Sequence, residues 1–434
     1  MNTKKIIIST ILFLSFFSLI AQDSLSIGLA INKALENNYG IITVNKSHEI
    51  NKLNNTWGNT GVLPTVKFTG TGSKLWNYND NDNFTSKSLS GSVDLNWVLF
   101  RGFSARISKQ NLEKLEKVSE GTIAITVENT IVDIILAYYN ILLAENKMDI
   151  AEKNMNLSED RYKQQEQRKQ LGTAVTYDLL QSKNSFLEDK SKFLSAKAAY
   201  NNAKRQLNNL MAVDLNTNYI YGSSFTINTK DFKIENLEAK MLENNNTLRN
   251  QYINLEIAKL KVRAAKSAYY PTISVGASGG YNDTDVNYNT NNNRDNSSDN
   301  FSTKTQMSVS YSIYEGGSRK RALQAARIKE EISEIETTEI QQKLKNQLAQ
   351  EFELYQVRKE LLVLAQENIK AAELNLKLSE QKFKNGTINS FNYRDIQQLY
   401  ANVALNYQNA MFDLIQSYHT LLRLTGGIID ELGV

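Results

Sequence analysis

The chain has 434 residues, with 50 Lys+Arg against 46 Asp+Glu, no cysteine, two histidines and two prolines. An ordinary globular chain of this length, at roughly 5% proline, would carry about twenty, so two imply long uninterrupted elements with few sharp turns. The lack of cysteine excludes disulfide frameworks, thiol nucleophiles, zinc ribbons and iron–sulfur clusters. His48 and His419, isolated in the sequence, leave little for a metal or acid–base site.

Residues 1–21 read as a targeting peptide: Lys4 and Lys5 precede an apolar run from Ile6 to Ile20, and Ala21 offers a small residue for cleavage. Leu19 at the −3 position fits the small-residue rule poorly, which leaves the cut itself open. Without a cysteine after the run, a lipoprotein anchor is not expected. Removing two lysines and no acids leaves 48 basic against 46 acidic residues, a net +2, which gives no electrostatic footprint for nucleic acid. No later run reaches 18 consecutive apolar residues, so no second membrane helix is expected.

The remainder repeats itself. Ala34-Leu35-Glu36-Asn37-Asn38 returns as Met241-Leu242-Glu243-Asn244-Asn245, and Leu63-Pro64-Thr65-Val66 as Tyr270-Pro271-Thr272-Ile273, both at an offset of 207. Leu99-Phe100-Arg101-Gly102-Phe103-Ser104 returns as Ile313-Tyr314-Glu315-Gly316-Gly317-Ser318, and Gly172-Thr173 as Gly386-Thr387, at 214. The difference is taken up by an Asn/Asp-rich segment, 282–303, read as a longer loop than its counterpart 77–86. Two halves of one design follow, 22–230 and 231–434, with Pro64 and Pro271 at equivalent helix-to-strand junctions.

Each half holds two strand signals. Leu89, Gly91, Val93, Leu95, Trp97 and Leu99 alternate with Ser88, Ser90, Ser92, Asp94 and Asn96; Met307, Val309, Tyr311 and Ile313 alternate with Ser308, Ser310 and Ser312. Their partners are Val66, Phe68, Gly70 and Gly72, and Ile273, Val275, Ala277, Gly279 and Tyr281. Period-2 alternation over about ten residues suits a transmembrane strand, apolar toward lipid and polar toward a lumen. It equally suits a soluble hairpin with one buried face. Trp76, Tyr78, Trp97, Phe100, Tyr281, Tyr311 and Tyr314 resemble membrane-interface girdles.

Heptads fill the rest. Leu348, Tyr355, Leu362, Ile369, Leu376 and Phe383 are matched in the first half by Ile134, Ile141, Met148, Met155, Tyr162 and Lys169. Returning stripes run Leu179, Phe186, Phe193, Tyr200, Leu207 and Tyr393, Tyr400, Tyr407, Leu414, Leu421. Such repeats mean coiled-coil packing, with helices from about 103 to 170 and 317 to 384 on the order of 100 Å long. Gly172 and Gly386 suit the positive φ of a helix C-terminal turn, and Gly102, Gly316 and Gly317 the bend from strand to helix. Four strands cannot close a membrane barrel; two chains would give eight strands and three would give twelve.

In this order, the motifs resemble the TolC-like outer membrane efflux proteins: the opening ending in Ala34–Asn38, the two prolines, the strand exits 99–106 and 313–320, and the hairpin tips 171–180 and 385–396. The resemblance implies a mixed α and β membrane protein in the outer membrane of a Gram-negative bacterium. Four strands per chain would join a trimeric 12-stranded β-barrel, continuous with a long α-helical coiled-coil barrel in the periplasm. It further implies a homotrimer acting with a periplasmic adaptor and an inner-membrane pump, no cofactor and no catalysis. Docking would fall at the tips Leu171, Gly172, Thr173, Asn385, Gly386 and Thr387. A periplasmic constriction would be ringed by Asp178, Asn392 and Asp395. Where the family expects two aspartates, Asn392 stands at one; Ile388 stands where a base expected to tie to Asp178 would be. Asp178 and Asp395 are open to a second reading, charges near a helix N-terminus that favour its dipole. An exported, non-conducting coiled-coil protein is the competing function.

Overall fold

The computed structural model describes residues 24–78, 83–222, 230–288 and 296–432. The expected targeting peptide, 1–21, lies outside them. The elements in chain order are β1 (Ser24–Leu25), α1 (Ile27–Asn37), α2 (Tyr39–Asn54), β2 (Thr65–Asn77), β3 (Phe84–Arg101), α3 (Ser104–Gln170), α4 (Thr176–Leu210), β4 (Ile220–Tyr221), α5 (Ile234–Asn244), α6 (Asn246–Ser267), β5 (Thr272–Tyr288), β6 (Asn296–Ser310), α7 (Ser318–Lys384), α8 (Ser390–Leu424) and α9 (Ile428–Leu432). Both α3 and α7 have 67 residues, and both α4 and α8 have 35. The chain forms two compact units: Met1–Thr43, Ile125–Asn245 and Leu344–Val434 in one, Val44–Ala124 and Asn246–Lys343 in the other.

The second unit carries a four-stranded sheet in the order β2-β3-β5-β6, every neighbouring pair antiparallel. Pro64 and Pro271 immediately precede β2 and β5; lacking an N–H, proline is tolerated at the start of a strand. In register, Val66 lies opposite Leu95, Leu95 opposite Ala277, Trp97 opposite Val275 and Val275 opposite Met307, so the apolar residues share one face. Serines, threonines and asparagines share the other, where Thr71 bonds Ser90 at 2.6 Å and Ser274 bonds Ser308 at 2.8 Å.

Two details differ from the sequence expectation. Of the segments read as loops, the described residues of 282–303 are strand throughout, since β5 runs to Tyr288 and β6 begins at Asn296, with Asp283 paired to Asp299 and Asn282 to Asn300, whereas 77–86 is strand only at Asn77 and from Phe84 on. Backbone pairing does not need apolar side chains, only a neighbour in register. Conversely, β6 ends at Ser310, short of Tyr311 and Ile313. Ser310 already faces Thr272, the first residue of β5, and Pro271 beyond it has no N–H to give.

At the strand-to-helix exit the chain turns through Gly102 (φ 52°) and Phe103 (φ 65°). A Cβ on Gly102 would stand 2.2 Å from the carbonyl oxygen of Ser267, at the end of α6. Phe103 repays its left-handed backbone with edge-to-face contacts to Phe100 and Tyr270 at 5.2 and 6.1 Å.

The first unit has the larger core. Ile131, Ile134, Ile135, Tyr138 and Ile141 of α3 are almost wholly buried, as are Leu207 and Met211 at the end of α4, Met241 of α5, and Leu414 and Leu421 of α8. Fully burying a side chain of this size contributes about 1.5–3 kcal/mol. Among the described residues α3 holds the one stretch apolar enough by composition to cross a membrane, and 67% of it is buried within the fold. The Tyr138 hydroxyl donates to Leu25 O at 2.9 Å, anchoring β1, which pairs in parallel with β4.

The repeated Leu-Glu-Asn-Asn motif has a structural use in both halves. Asn38 donates from Nδ2 to Leu210 O at 2.8 Å, and Asn245 to Leu424 O at 3.0 Å. Each asparagine thus satisfies a carbonyl that the last turn of α4 or α8 leaves without an intrahelical partner. Nearby, burial holds the His419 imidazole down at about 4, against an upward pull from Glu431. Glu431 itself accepts from Tyr418 at 2.9 Å and from Lys230.

Three stability outcomes follow. Gly102→Ala, which meets backbone as well as strain, should cost roughly 3 kcal/mol or more. Gly172→Ala has open space around it and should cost only about 1–2 kcal/mol; denaturant unfolding of the two variants compares them. Asn245→Ala, by stranding a buried carbonyl, should cost about 1–3 kcal/mol.

For His419 the unfolded chain binds the proton more readily, so stability is full above the ordinary value of 6.5 and falls as pH drops toward 4. The loss is roughly 3 kcal/mol at about 1.4 kcal/mol per unit. His419→Leu should flatten that limb of the thermal midpoint against pH. Glu431, whose carboxylate is held down by Lys230 and Tyr418, keeps its own contribution above the ordinary value of 4.5 and loses it as pH falls below that.

Candidate functional site

Two surfaces carry the chemistry, one in each unit. On the sheet, the apolar face is uncovered among the described residues: Phe68 is 72% exposed and Met307 67%, and Leu89, Val93, Trp97, Phe301 and Val309 are exposed beside them. On β3 the face runs from Leu89 to Leu99, about 33 Å at ~3.3 Å per residue, enough for the ~25 Å apolar band of a membrane barrel. Aromatic rings gather at both of its ends. Trp97 donates from Nε1 to Val62 O at 2.8 Å, and at the same ends of the strands, just outside β3, β5 and β6, Phe103, Tyr270, Tyr311 and Tyr314 are exposed. At the other end stand Trp76, under the Lys74 ammonium at 4.6 Å, and Tyr78. Rings with one wet edge suit the two interfaces of a bilayer.

The glycines of the sheet serve packing. The Phe68 ring lies across Gly70 and Gly91, 3.7–3.8 Å from where their Cβ atoms would stand. Gly70 and Gly72 sit within the ladder, paired with Gly91 and Leu89.

The second surface is the pair of hairpin ends in the first unit. Helices α3 and α7 each close on a left-handed glycine, Gly172 at φ 75° and Gly386 at φ 70°. Thr173 N reaches Arg168 O and Thr387 N reaches Lys382 O, both at 2.8 Å, the bond across the turn that ends a helix at such a glycine. The heptad residues face inward: Tyr162 stacks on Phe186 at 6.2 Å and Phe383 on Tyr393 at 4.9 Å. Leu171, Gly172, Thr173, Asn385, Gly386 and Thr387 are all exposed.

Between the two ends lies a cleft of about 1280 Å³ that Asp178 and Asn392 both line, with Arg161, Arg168 and Lys384. Asp178 sits in the first turn of α4. Asn392 donates its N–H to the Asn389 side chain, which caps α8, at 2.9 Å. Asp395, one turn further on, is exposed and outside the cleft lining.

Sequence reasoning missed the charges that matter most here. Arg394 of α8 grips Asp189 of α4 with both guanidinium nitrogens, the longer contact 2.8 Å, and Asp189 keeps 4% of its side chain exposed. Arg161 of α3 is buried beside them with its Nε unpartnered. Burial, reinforced by Arg394, holds the Arg161 guanidinium down to about 10 against the attraction of Asp189 and Tyr393. The available signal was Asp189 itself, three residues past Phe186 on the heptad face, where an apolar residue is the rule.

A bare apolar sheet face between aromatic rims, together with paired coiled-coil helices ending in a polar cleft, defines a duct protein of the outer membrane. The sequence model of the family described as outer membrane efflux protein matches residues 30–213 and 237–427, and the chain belongs to that family. Its fold is that of the Campylobacter jejuni CmeC outer membrane channel, at TM-score 0.76 and 15% identity, covering 93% of this chain and 86% of that one. The Neisseria gonorrhoeae MtrE outer membrane channel in its open state aligns at 0.74 and 15%, covering 93% and 89%. The outer membrane protein VceC of Vibrio cholerae aligns at 0.72 and 10%, covering 92% and 96%. No curated protein sequence matches the chain. The protein is therefore an outer-membrane efflux channel with a periplasmic helical part, in a family of transport channels.

Arg394→Leu, by leaving Asp189 buried and unpaired, should cost about 3–5 kcal/mol. Asp189→Leu combined with Arg394→Leu and Arg161→Leu removes the whole buried charge cluster and should recover most of that loss, as denaturant unfolding of the single, double and triple variants would record.

Proposed function

We propose that three copies of the chain close a 12-stranded barrel, each giving β2, β3, β5 and β6, continuous with a coiled-coil barrel of α3, α4, α7 and α8. The observation that carries this reading is the sheet: among the described residues one face is bare and apolar, and both outer edges lack a partner. The outer edges of β2, 13 residues, and β6, 15 residues, are unpaired in the chain's own sheet. In hydrocarbon each unsatisfied backbone group costs several kcal/mol, so β6 of one copy pairs with β2 of the next. Trimers, the state that the family resemblance implies, select twelve strands over the eight that two copies would give. Exposed heptad stripes, Leu354, Val357, Leu361 and Leu364 on α7 and Leu180, Leu187 and Leu194 on α4, supply the lateral faces for neighbouring copies.

Within this duct the chain performs no catalysis and takes no cofactor. Cargo passes from an inner-membrane pump through a periplasmic adaptor, which docks on Leu171–Thr173 and Asn385–Thr387. Asp178, Asn392 and Asp395 ring the periplasmic constriction. The equal lengths of the paired helices support a tandem repeat, 22–230 and 231–434, behind a targeting peptide.

The test is single-channel conductance of the detergent-purified protein in a planar bilayer, with its mass in SDS. Long-lived openings from an SDS-resistant trimer are expected, and a detergent-independent monomer without conductance would overturn the duct. Asp395→Ala should weaken block by divalent cations at the periplasmic side; unchanged conductance and block would remove Asp395 from the constriction.

A further inference from the structure

The sequence leaves His48 isolated, but the fold does not. His48 on α2 faces Glu116 and Glu120 on α3, and one ligand atom from each lies within 4.8 Å of the other two. We propose that these three side chains bind one divalent transition-metal ion of the zinc class per chain, clipping α2 to α3.

The geometry begins with spacing. Glu116 and Glu120 are four residues apart on one helix, so their carboxylates share a face. Ser119, buried between them in sequence, fixes the imidazole. Its hydroxyl donates to the Glu116 carbonyl at 2.6 Å, and its oxygen lies 2.9 Å from His48 Nδ1. A serine has one hydroxyl proton, and it is already committed. The contact must therefore be Nδ1–H donating to Ser119, which leaves the Nε2 lone pair bare. Metal-ligating histidines are held in this way, with the far nitrogen donating to an oxygen that sets the ring.

Glu116 is oriented from behind as well. Asn55 Nδ2 donates to its Oε2, while Asn55 Oδ1 accepts from Lys109 at 2.6 Å. Lys109, in turn, is neutralised by Glu113 at 2.8 Å. The chemistry of the donors sets the ion: one imidazole and two carboxylates, without thiolate, suit zinc, nickel or cobalt rather than a soft monovalent ion. A histidine ligand also disfavours calcium and magnesium, which take oxygen. Metal–ligand distances of about 2.0–2.2 Å require the three ligand atoms to draw closer than in the ion-free arrangement, and the outer glutamate, Glu120, is exposed on the solvent side of the cluster.

The internal repeat supplies a control. At the offset of 214, Glu330, Ser333 and Glu334 reproduce Glu116, Ser119 and Glu120; at 207, Leu255 stands where His48 does. The carboxylate pair alone is a shared feature of the repeat, and the histidine is what makes a site. One ion per chain follows, not two.

The experiment uses the full-length chain in detergent, purified without a polyhistidine tag, stripped with chelator and titrated calorimetrically with Zn²⁺. One ion per chain is expected, saturating on the order of 10 µM or below, with a rise in thermal midpoint. His48→Leu, and separately Glu116→Gln with Glu120→Gln, should weaken uptake at least tenfold, while Glu330→Gln with Glu334→Gln should leave it unchanged. Co²⁺ should give a visible absorption band that His48→Leu abolishes. No saturable uptake by the parent protein, uptake unaffected by His48→Leu in a variant of unaltered helix content, or equal loss in the Glu330/Glu334 control would each overturn the site. None of these readouts depends on conductance, so they stand apart from the test of the duct.

Discussion

Hydrocarbon offers a backbone amide no water to bond, and this constraint orders the sheet unit. Inside the sheet each strand pairs along almost its whole length, Thr65–Asn77 with Phe84–Asn96 and Thr272–Val286 with Asn296–Ser310. Only the outer edges of β2 and β6 remain, and four strands cannot bring those two edges together. The same solvent explains the bare apolar face. Phe68, Val93 and Met307 in water would be a large exposed patch of the kind that marks an interaction surface or an aggregation liability; against lipid tails they are simply solvated. Prolines are confined to the positions just before β2 and β5, where a missing N–H breaks no ladder bond.

The helical unit answers to a different solvent and uses different means. Paired helices of 67 and 35 residues leave few ends, and each C-terminal end has an identifiable closure: a left-handed glycine at the tips, an asparagine side chain at Leu210 and Leu424. The core is correspondingly concentrated, with Ile134, Tyr138, Ile141, Leu207, Leu414 and Leu421 almost wholly buried, while toward the tips most heptad residues, Met155, Tyr162, Leu179, Phe186 and Phe383 among them, are half-buried and Tyr393 alone of the stripe is buried. Stability is therefore graded along the helices. Motion belongs at the loosely packed end, where few apolar contacts must be broken.

Much of this is written in the sequence because periodicity reports the environment of a face. The heptads and flanking glycines placed the long helices at 103–170 and 317–384, within one residue of Ser104–Gln170 and Ser318–Lys384. Alternation found all four strands but misjudged their ends, for a physical reason. The Asn/Asp-rich stretches of β5 and β6 carry polar residues on both faces and so lose their alternation, while the backbone ladder, which needs no apolar side chains, continues. At the other end Tyr311 and Ile313 keep the alternation after the ladder has stopped, because nothing of β5 precedes Thr272. Asp178 and Asn392 were legible as neighbours of a tip glycine, and the cleft contains both. Arg161, Asp189 and Arg394 were not, since their meeting depends on three helices packing and no local pattern records it.

That buried trio bears on how the hairpins keep their register. A heptad stripe of aromatic and aliphatic residues looks much the same after a slip of seven, so apolar packing alone discriminates weakly between registers. Two guanidinium groups around one carboxylate do not tolerate a slip, because Asp189 would lose both of its bonds to Arg394 while still shielded from water. A buried ion pair of this kind contributes little net stability over an apolar pair of equal volume, and its effect is instead to make the wrong registers expensive. The residues whose placement depends on register are those of the cleft: a slip between α4 and α8 would separate Asp178 from Asn392 and change which charges line it. Buried charge near the tips, where apolar packing thins out, therefore fixes the alignment that the heptads leave degenerate.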